Sequence, residues 1–189
     1  MAHTNHNLQD DIQKVLIDER TLQARLQALA RQIEADYAGK EDVLLLCVLK
    51  GAFIFLADLS RALQIPHQLE FMAISSYGSG TTSSGAVQIM LDLKQDIAGR
   101  HVLVVEDIID SGRTLQYMRR ILTARSPATI KIVTLLNKPS RREVDVPVDY
   151  IGFDIPDEFV VGYGLDYAQL YRNLPYIAVL KPEVFAGSG

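Results

Sequence analysis

The densest chemistry in the chain lies in Val104-Val-Glu-Asp-Ile-Ile-Asp-Ser-Gly-Arg-Thr-Leu115. Two adjacent carboxylates, Glu106 and Asp107, end an apolar run, and a third, Asp110, opens a Ser-Gly-Arg-Thr turn that leads into a helix. Such a turn is a phosphate cradle: Gly112 lets backbone N–H groups converge, and Ser111 and Thr114 add hydroxyl donors. Carboxylates do not bind phosphate directly, but they hold sugar hydroxyls or a magnesium ion beside it, so the two halves together point to a phosphorylated sugar. Taken singly the features are ordinary, since acids after a strand often cap the next helix and Ser-Gly is common in turns. The pattern G-x-x-x-x-G-K-[ST] is absent and no G-x-G-x-x-G follows a strand, so an ATPase and a Rossmann dehydrogenase both lose support.

The elements around this segment must bring it to one edge of a sheet. Asp18 offers a cap, and Leu22, Leu26, Leu29 and Ile33 recur at helical spacing, which predicts a surface helix to about Tyr37, with Arg20, Arg25, Arg31 and Glu34 facing elsewhere. Val43 to Leu49 is a continuous apolar run, too uniform for one exposed face, and reads as a buried parallel strand. Ala52 to Leu63 then carries Phe53, Leu56, Leu59 and Leu63 in helical register. The same alternation returns with the strand His101 to Val105, a helix bearing Leu115, Met118 and Leu122, and the strand Ile130 to Leu136. The predicted class is therefore α/β: a central twisted parallel sheet flanked by helices on both faces. In such sheets ligands collect beyond the carboxyl ends of the strands, where Glu106 to Thr114, Lys50 and Lys138 all fall.

Between the strand-like stretches Leu69 to Ser75 and Val87 to Leu93 lies Tyr77-Gly-Ser-Gly-Thr-Thr-Ser-Ser-Gly85, polar, Gly-rich and longer than a hairpin needs, which reads as a mobile lid. From Val144 onward Pro147, Pro156 and Pro175 punctuate short strands.

With 189 residues, one domain is expected. Lys plus Arg is 19 and Asp plus Glu is 23, a net charge of −4, and 48% of the chain is apolar, which disfavours both disorder and a basic nucleic-acid-binding surface. No apolar run reaches the roughly 20 residues of a spanning helix. The polar stretch Met1 to Lys14 and the lone Cys47 inside an apolar run suggest a cytoplasmic chain that does not associate with membranes. His3, His6, His67 and His101 show no metal-ligand spacing.

Val104 to Leu115 resembles the 5-phosphoribosyl pyrophosphate (PRPP) signature of type I phosphoribosyltransferases. Leu49-Lys-Gly51, Ser75-Ser-Tyr-Gly78, Asn137-Lys-Pro-Ser-Arg-Arg142, and Phe159-Val-Val-Gly-Tyr-Gly-Leu-Asp-Tyr167 with Arg172 narrow the resemblance to the hypoxanthine-guanine phosphoribosyltransferases. The matches run in the family's order from about residue 12 to 180. The resemblance implies the type I phosphoribosyltransferase fold, with a core at about 38–145, a small hood from about 1–20 and 146–189, and a flexible loop at about 75–87.

It further implies purine salvage: transfer of the phosphoribosyl group from PRPP to N9 of hypoxanthine or guanine, giving IMP or GMP and pyrophosphate, with Mg²⁺ as cofactor. Asp110 is implied as the acid/base residue at purine N7, and Glu106 and Asp107 as ligands of the ribose hydroxyls, directly or through Mg²⁺. Ser111, Gly112, Arg113 and Thr114 would take the 5′-phosphate, and Lys50, Gly51 and Arg172 the pyrophosphate end. Lys138 would read the purine 6-oxo group, Phe159 stack on the base, and Val160 meet its edge through the backbone. Asp166 is implied both beside the purine and as a third metal carboxylate. Ser76 and Tyr77 would begin a loop that keeps water from an oxocarbenium-like centre, and Arg142 would help place its own loop and the pyrophosphate end. A homodimer or homotetramer, paired around the Lys50 turn, is also implied. Two alternatives stay open: preference for xanthine, which differs only by a 2-oxo group, and a regulatory PRPP sensor, which would want a basic face.

Overall fold

The computed structural model describes residues 7–76 and 87–186. Two sheets organise it. The larger has six strands, in the order β4 (Val87–Leu91), β3 (Gln68–Ser76), β2 (Val43–Leu49), β5 (His101–Ile109), β6 (Thr129–Asn137) and β7 (Tyr150–Asp154), and the smaller three, in the order β1 (Ile12–Ile17), β9 (Ile177–Leu180) and β8 (Val160–Val161).

β2 (Val43–Leu49) is central and pairs in parallel with both β3 (Gln68–Ser76) and β5 (His101–Ile109). Alternate side chains along a strand point to opposite faces, and here both faces are covered, which is why β2 is apolar throughout. Leu45 and Cys47 pack with Leu22, Leu26, Leu29 and Ile33 of α1 (Glu19–Tyr37) and with Phe55, Leu56 and Leu59 of α2 (Phe53–Ala62). Leu44, Leu46 and Val48 pack on the other side, with Leu115, Met118 and Leu122 of α3 (Arg113–Thr123). Buried Cys47 is a core residue whose thiol burial pushes up to about 12.

The predicted cap at Asp18 holds, its Oδ1 accepting from the Thr21 amide at 2.8 Å. In α2 the inward residue is Phe55, not Phe53, which is exposed, because the helix starts at Phe53 and sets its buried stripe through Leu56 and Leu59. The sheet is mixed rather than wholly parallel: β4 (Val87–Leu91) runs antiparallel to β3. The strands on either side of the expected lid thus pair as a hairpin, and the lid itself, Tyr77 included, lies outside the described residues.

β5 also runs further than its apolar run suggested. It continues to Ile109 because its ladder with β6 (Thr129–Asn137) extends through Glu106–Thr134 and Ile109–Asn137. Glu106 and Asp107 therefore sit within the strand rather than beyond it. β7 (Tyr150–Asp154), inside the stretch assigned to the hood, is the edge strand of the larger sheet. Arg25 of α1 donates to the carbonyls of Gly152 (2.8 Å) and Ile151 (2.5 Å) along β7, satisfying groups that an edge strand leaves open.

The smaller sheet is built from β1 (Ile12–Ile17), β8 (Val160–Val161) and β9 (Ile177–Leu180), all antiparallel. Its buried Val160 and Val179 join the core on the α1–α2 side of the larger sheet, together with Tyr163 and Leu165 from the turn after β8. No helix among the described residues is long and apolar enough to cross a membrane.

Candidate active site

At the carboxyl end of β5 the chain turns into α3 through Ser111 and Gly112. Gly112 has φ +84° and is the N-cap of α3, a left-handed conformation that glycine adopts without a Cβ penalty. The first amides of α3 lack intrahelical partners and open toward the turn. The Arg113 amide leans on Ser111 Oγ at 3.4 Å. A pocket of about 110 Å³ lies over the turn, lined by Glu106, Ile108 to Gly112, Thr114 and Leu115. The Arg113 guanidinium turns out to Glu143, 2.6 Å away, so what Arg113 offers this pocket is its backbone N–H rather than its charge.

The turn is braced from behind. Ser111 O accepts from the Glu143 and Val144 amides at 3.0 and 3.2 Å, and Ile109 O from the Lys138 amide at 3.0 Å. Arg142 Nη2 donates to Asn137 Oδ1, and Asn137 Nδ2 to Asp154 Oδ1 at 2.6 Å. Arg142 Nη1 is buried without a hydrogen-bond partner among the described residues, 3.1 Å from where a Cβ on Gly112 would stand.

Glu106 is buried, and both burial and the neighbouring Asp107 push its carboxyl well above the usual range. Burial also pushes Asp107 up to about 6, with Arg172 nearby drawing it down and Asp166 pushing it up. Asp107 Oδ1 accepts from the Ile108 amide at 2.7 Å. Among the described residues neither acid forms an ion pair with a Lys or Arg. Two adjacent acids, Glu106 buried and Asp107 half-buried, with no Lys or Arg ion-paired to either among the described residues, suit a divalent ion or sugar hydroxyls. Glu106, Asp107 and Asp166 do not converge into one cage: among the described residues no group of three or more His, Cys, Asp or Glu side chains is placed to hold a metal. The trio expected from sequence is thus a pair plus a separate acid, as suits Mg²⁺, which commonly takes one or two carboxylates and completes its shell with substrate oxygens and water.

Lys50 follows β2 after a cis Leu49–Lys50 peptide, and its Nζ donates to Gln169 Oε1 at 3.2 Å. Gly51 lies against Asp107: a Cβ there would stand 1.5 Å from Asp107 Oδ2. Gly164 in turn lies against Gly51, where a Cβ would stand 2.0 Å from the Gly51 carbonyl oxygen. These two close approaches bring the turn after β8 onto the β2 turn and the β5 acids. Arg172 secures that turn, donating to Gly164 O at 2.7 Å and pairing with Asp166 at 2.7 Å, while Gln169 Oε1 lies 3.3 Å from Arg172 Nη2. Sequence reading missed Gln169, which bridges Lys50 and Arg172; a neutral amide in a polar loop gives no signal.

A second cleft, about 380 Å³, opens beside the first. It is lined by Ile108, Asp110, Lys138, Arg141, Asp157, Glu158, Phe159, Val160, Leu165 and Asp166. The four residues expected at a purine, Lys138, Phe159, Val160 and Asp166, all line it. Lys138 is buried, with Nζ 3.8 Å from Asp157, and Asp157 and Asp110 each lie 3.6 Å from the Arg141 guanidinium. Arg141, given no role of its own from sequence, therefore belongs to the cleft, and Ile108 faces it as an apolar wall. Ser76 ends β3.

Comparison with known proteins completes the description. Residues 15–168 match the phosphoribosyl transferase domain. The chain is 54% identical over 165 residues to the hypoxanthine phosphoribosyltransferase of Salmonella typhimurium, covering 87% of this chain and 93% of that one. It is 50% identical over 182 residues to the bifunctional protein TilS/HprT of Listeria monocytogenes, covering 96% of this chain but spanning only 28% of that relative's length. The crystal structure of a hypoxanthine phosphoribosyltransferase from Staphylococcus aureus superposes with a TM-score of 0.91 at 44% identity, over 97% of this chain and 99% of that one.

Proposed function

The chain belongs to the phosphoribosyl transferase family, and from that premise we propose that it is a purine salvage enzyme. It transfers the 5-phosphoribosyl group of PRPP to N9 of hypoxanthine or guanine, giving IMP or GMP and pyrophosphate. The observation that carries this reading is Asp110. It lines both the pocket over the phosphate turn and the cleft holding Lys138 and Phe159, at the seam where a ribosyl carbon and a base nitrogen would meet.

In this reading the amides of the 111–114 turn and the hydroxyls of Ser111 and Thr114 hold the 5′-phosphate. Glu106 and Asp107 take the ribose hydroxyls, and Lys50, Gly51 and Arg172 receive the pyrophosphate, with Gln169 yielding its place between the two cations. Glu106 and Asp107 as one pair, and Asp166 as a separate carboxylate, are the residues that would hold Mg²⁺, which when bound offsets the charge of the departing pyrophosphate. Lys138 donates to the purine 6-oxo group and disfavours adenine, whose 6-amino group is itself a donor. Phe159 and Ile108 enclose the ring, and Val160 meets its edge. Asp110 exchanges the proton at N7 as charge develops on an oxocarbenium-like sugar, the assistance a carboxylate gives in glycoside chemistry.

A homodimer or homotetramer paired around the Lys50 turn goes with this reading, supported by exposed Phe53 just after that turn; sedimentation distinguishes the two. A cytoplasmic setting goes with it as well, and cell fractionation tests it. The deciding experiment offers hypoxanthine, guanine, xanthine, adenine and uracil separately with PRPP, with and without Mg²⁺, and follows nucleotide and pyrophosphate. Turnover of hypoxanthine and guanine only with Mg²⁺ is expected. Preference for xanthine would reassign the base, and PRPP binding without turnover of any base would make the chain a sensor.

A further inference from the structure

Phe159 stands where the chain enters β8, and it is exposed at 42%. An aromatic ring at such a position is free to leave its rotamer unless something holds it. Two rings do. Phe185, in the short helix α4 (Pro182–Ala186), stacks on it with centroids 5.3 Å apart and planes inclined by 27°. Tyr167 meets it edge-on at 5.7 Å and 89°. Both geometries are among those that aromatic pairs prefer. Phe159 lines the cleft, and neither Phe185 nor Tyr167 does, so the ring that meets the cleft is held by rings that do not.

The route that delivers Phe185 is short. β9 pairs with β8, the Leu180 amide reaches the Phe159 carbonyl at 3.4 Å, and the Val184 amide returns to Lys181 O at 3.0 Å to form the turn that sets Phe185 over the Phe159 ring. The end of β9 and the start of β8 are thus one local unit, and α4 folds back over it.

We propose that Phe185 is a positioning residue for base recognition: it holds the Phe159 ring as a ready-made wall, so that an entering purine meets an aromatic face already in place. The inference rests on the purine-salvage reading above and adds to it a residue that touches neither PRPP nor the base. Removing the support makes Phe159 pay its ordering cost when the base binds, an expense that falls on the base alone.

The test is steady-state kinetics of Phe185→Ala, Phe185→Leu and Phe185→Tyr in the full chain, varying base and PRPP separately. Phe185→Ala should raise KM for hypoxanthine and for guanine by about three- to tenfold, the range that one aromatic pair spans. KM for PRPP and kcat at saturating base should stay within twofold. Phe185→Tyr, which keeps the ring, should restore the wild-type KM, and Phe185→Leu should restore it only in part. A purely structural contact would instead move both KM values together or leave them alone while lowering the melting temperature. Unchanged base KM in Phe185→Ala overturns the proposal, as does a fall in base KM, which would mean that Phe185 covers the face the base uses. Wild-type protein is assayed alongside: if it turns over no base, the salvage reading itself fails and takes this inference with it, whereas active wild type with an indifferent Phe185→Ala removes the inference alone.

Discussion

Gly51→Ala probes the tightest contact in the site. A Cβ at Gly51 would stand 1.5 Å from Asp107 Oδ2, where an ordinary contact begins at 3.4 Å, so the carboxylate must retreat by about 1.9 Å or the β2 turn must lift by as much. The carboxylate has little room to do so: its other oxygen is tied to the Ile108 amide at 2.7 Å, and the strand that bears it is paired on both sides. Displacing a positioned group by about 1 Å costs on the order of a hundredfold in rate, so kcat/KM for PRPP should fall at least about 100-fold, or about 2.7 kcal/mol of transition-state stabilisation. Overpacking should also lower stability by about 1–3 kcal/mol. Gly39→Ala is the comparison. It places a side chain at φ +73° with nothing within 4 Å, which should cost about 1 kcal/mol of strain and leave activity per folded molecule unchanged. Steady-state kinetics and urea midpoints of both variants separate the effects. If Gly51→Ala kept kcat/KM within twofold of wild type, Asp107 would not be acting from the position it occupies, and the role given to it would be wrong.

Asp110→Asn should lower kcat by about 10²–10⁴-fold, as loss of a positioned acid/base does, while KM for PRPP moves less than twofold; an undiminished kcat removes Asp110 from proton transfer. Lys138→Gln replaces a charged donor by a neutral one and should reduce kcat/KM for hypoxanthine by about ten- to a hundredfold, with adenine much less affected, so the ratio of the two is the readout. Tyr163→Phe removes a donor to Asp58. Burial pushes the Asp58 carboxyl up, but hydrogen bonds from Tyr163, Arg61 and Gln23 outweigh it and leave it below the usual range. A depressed carboxylate contributes stability that is complete above the ordinary value of about 4 and fades as pH falls through the lower folded value. Tyr163→Phe should therefore cost about 1–3 kcal/mol at pH 7, with the gap to wild type narrowing toward pH 3 in urea titrations; a gap independent of pH would assign the loss to packing.

What could be read from the sequence follows the range of the interactions involved. The β2 run, the α1 stripe and the α3 stripe are local patterns imposed by burial on one or both faces, and they led to the correct elements. The end of β5 was misplaced because its apolar run stops at Val105 while its hydrogen-bonded ladder continues to Ile109, and a ladder depends on a partner strand 28 residues further on. The direction of β4 was not assigned from sequence for a related reason: pairing geometry is not written in the strand itself. Within the site, the 104–115 segment announced itself because its residues are adjacent. The Gln169 bridge, the Arg141–Asp157 pairing and the contact of Gly51 with Asp107 join segments distant in the chain, and none leaves a local signature. Arg142 was expected to help place its own loop and the pyrophosphate end; its buried Nη1 lies close against Gly112 of the phosphate turn.

The pairing of β1 with β9 has a consequence for the order in which the molecule can be completed. Among the described residues β8 pairs only with β9, and β9 only with β8 and β1, joining Ile12 to Leu180. On a ribosome, β2, β3, β5 and α3 can be packed while this register is still waiting for its last strand, because domains begin to assemble as they emerge. Val160 belongs to that final pairing and Phe159 precedes it, so the acids and the phosphate turn lie in segments synthesised before the wall for the base can be closed. Shortening the chain by a dozen residues at its carboxyl side would thus leave a half-built machine, with a seat for the sugar phosphate and none for the ring it is to receive.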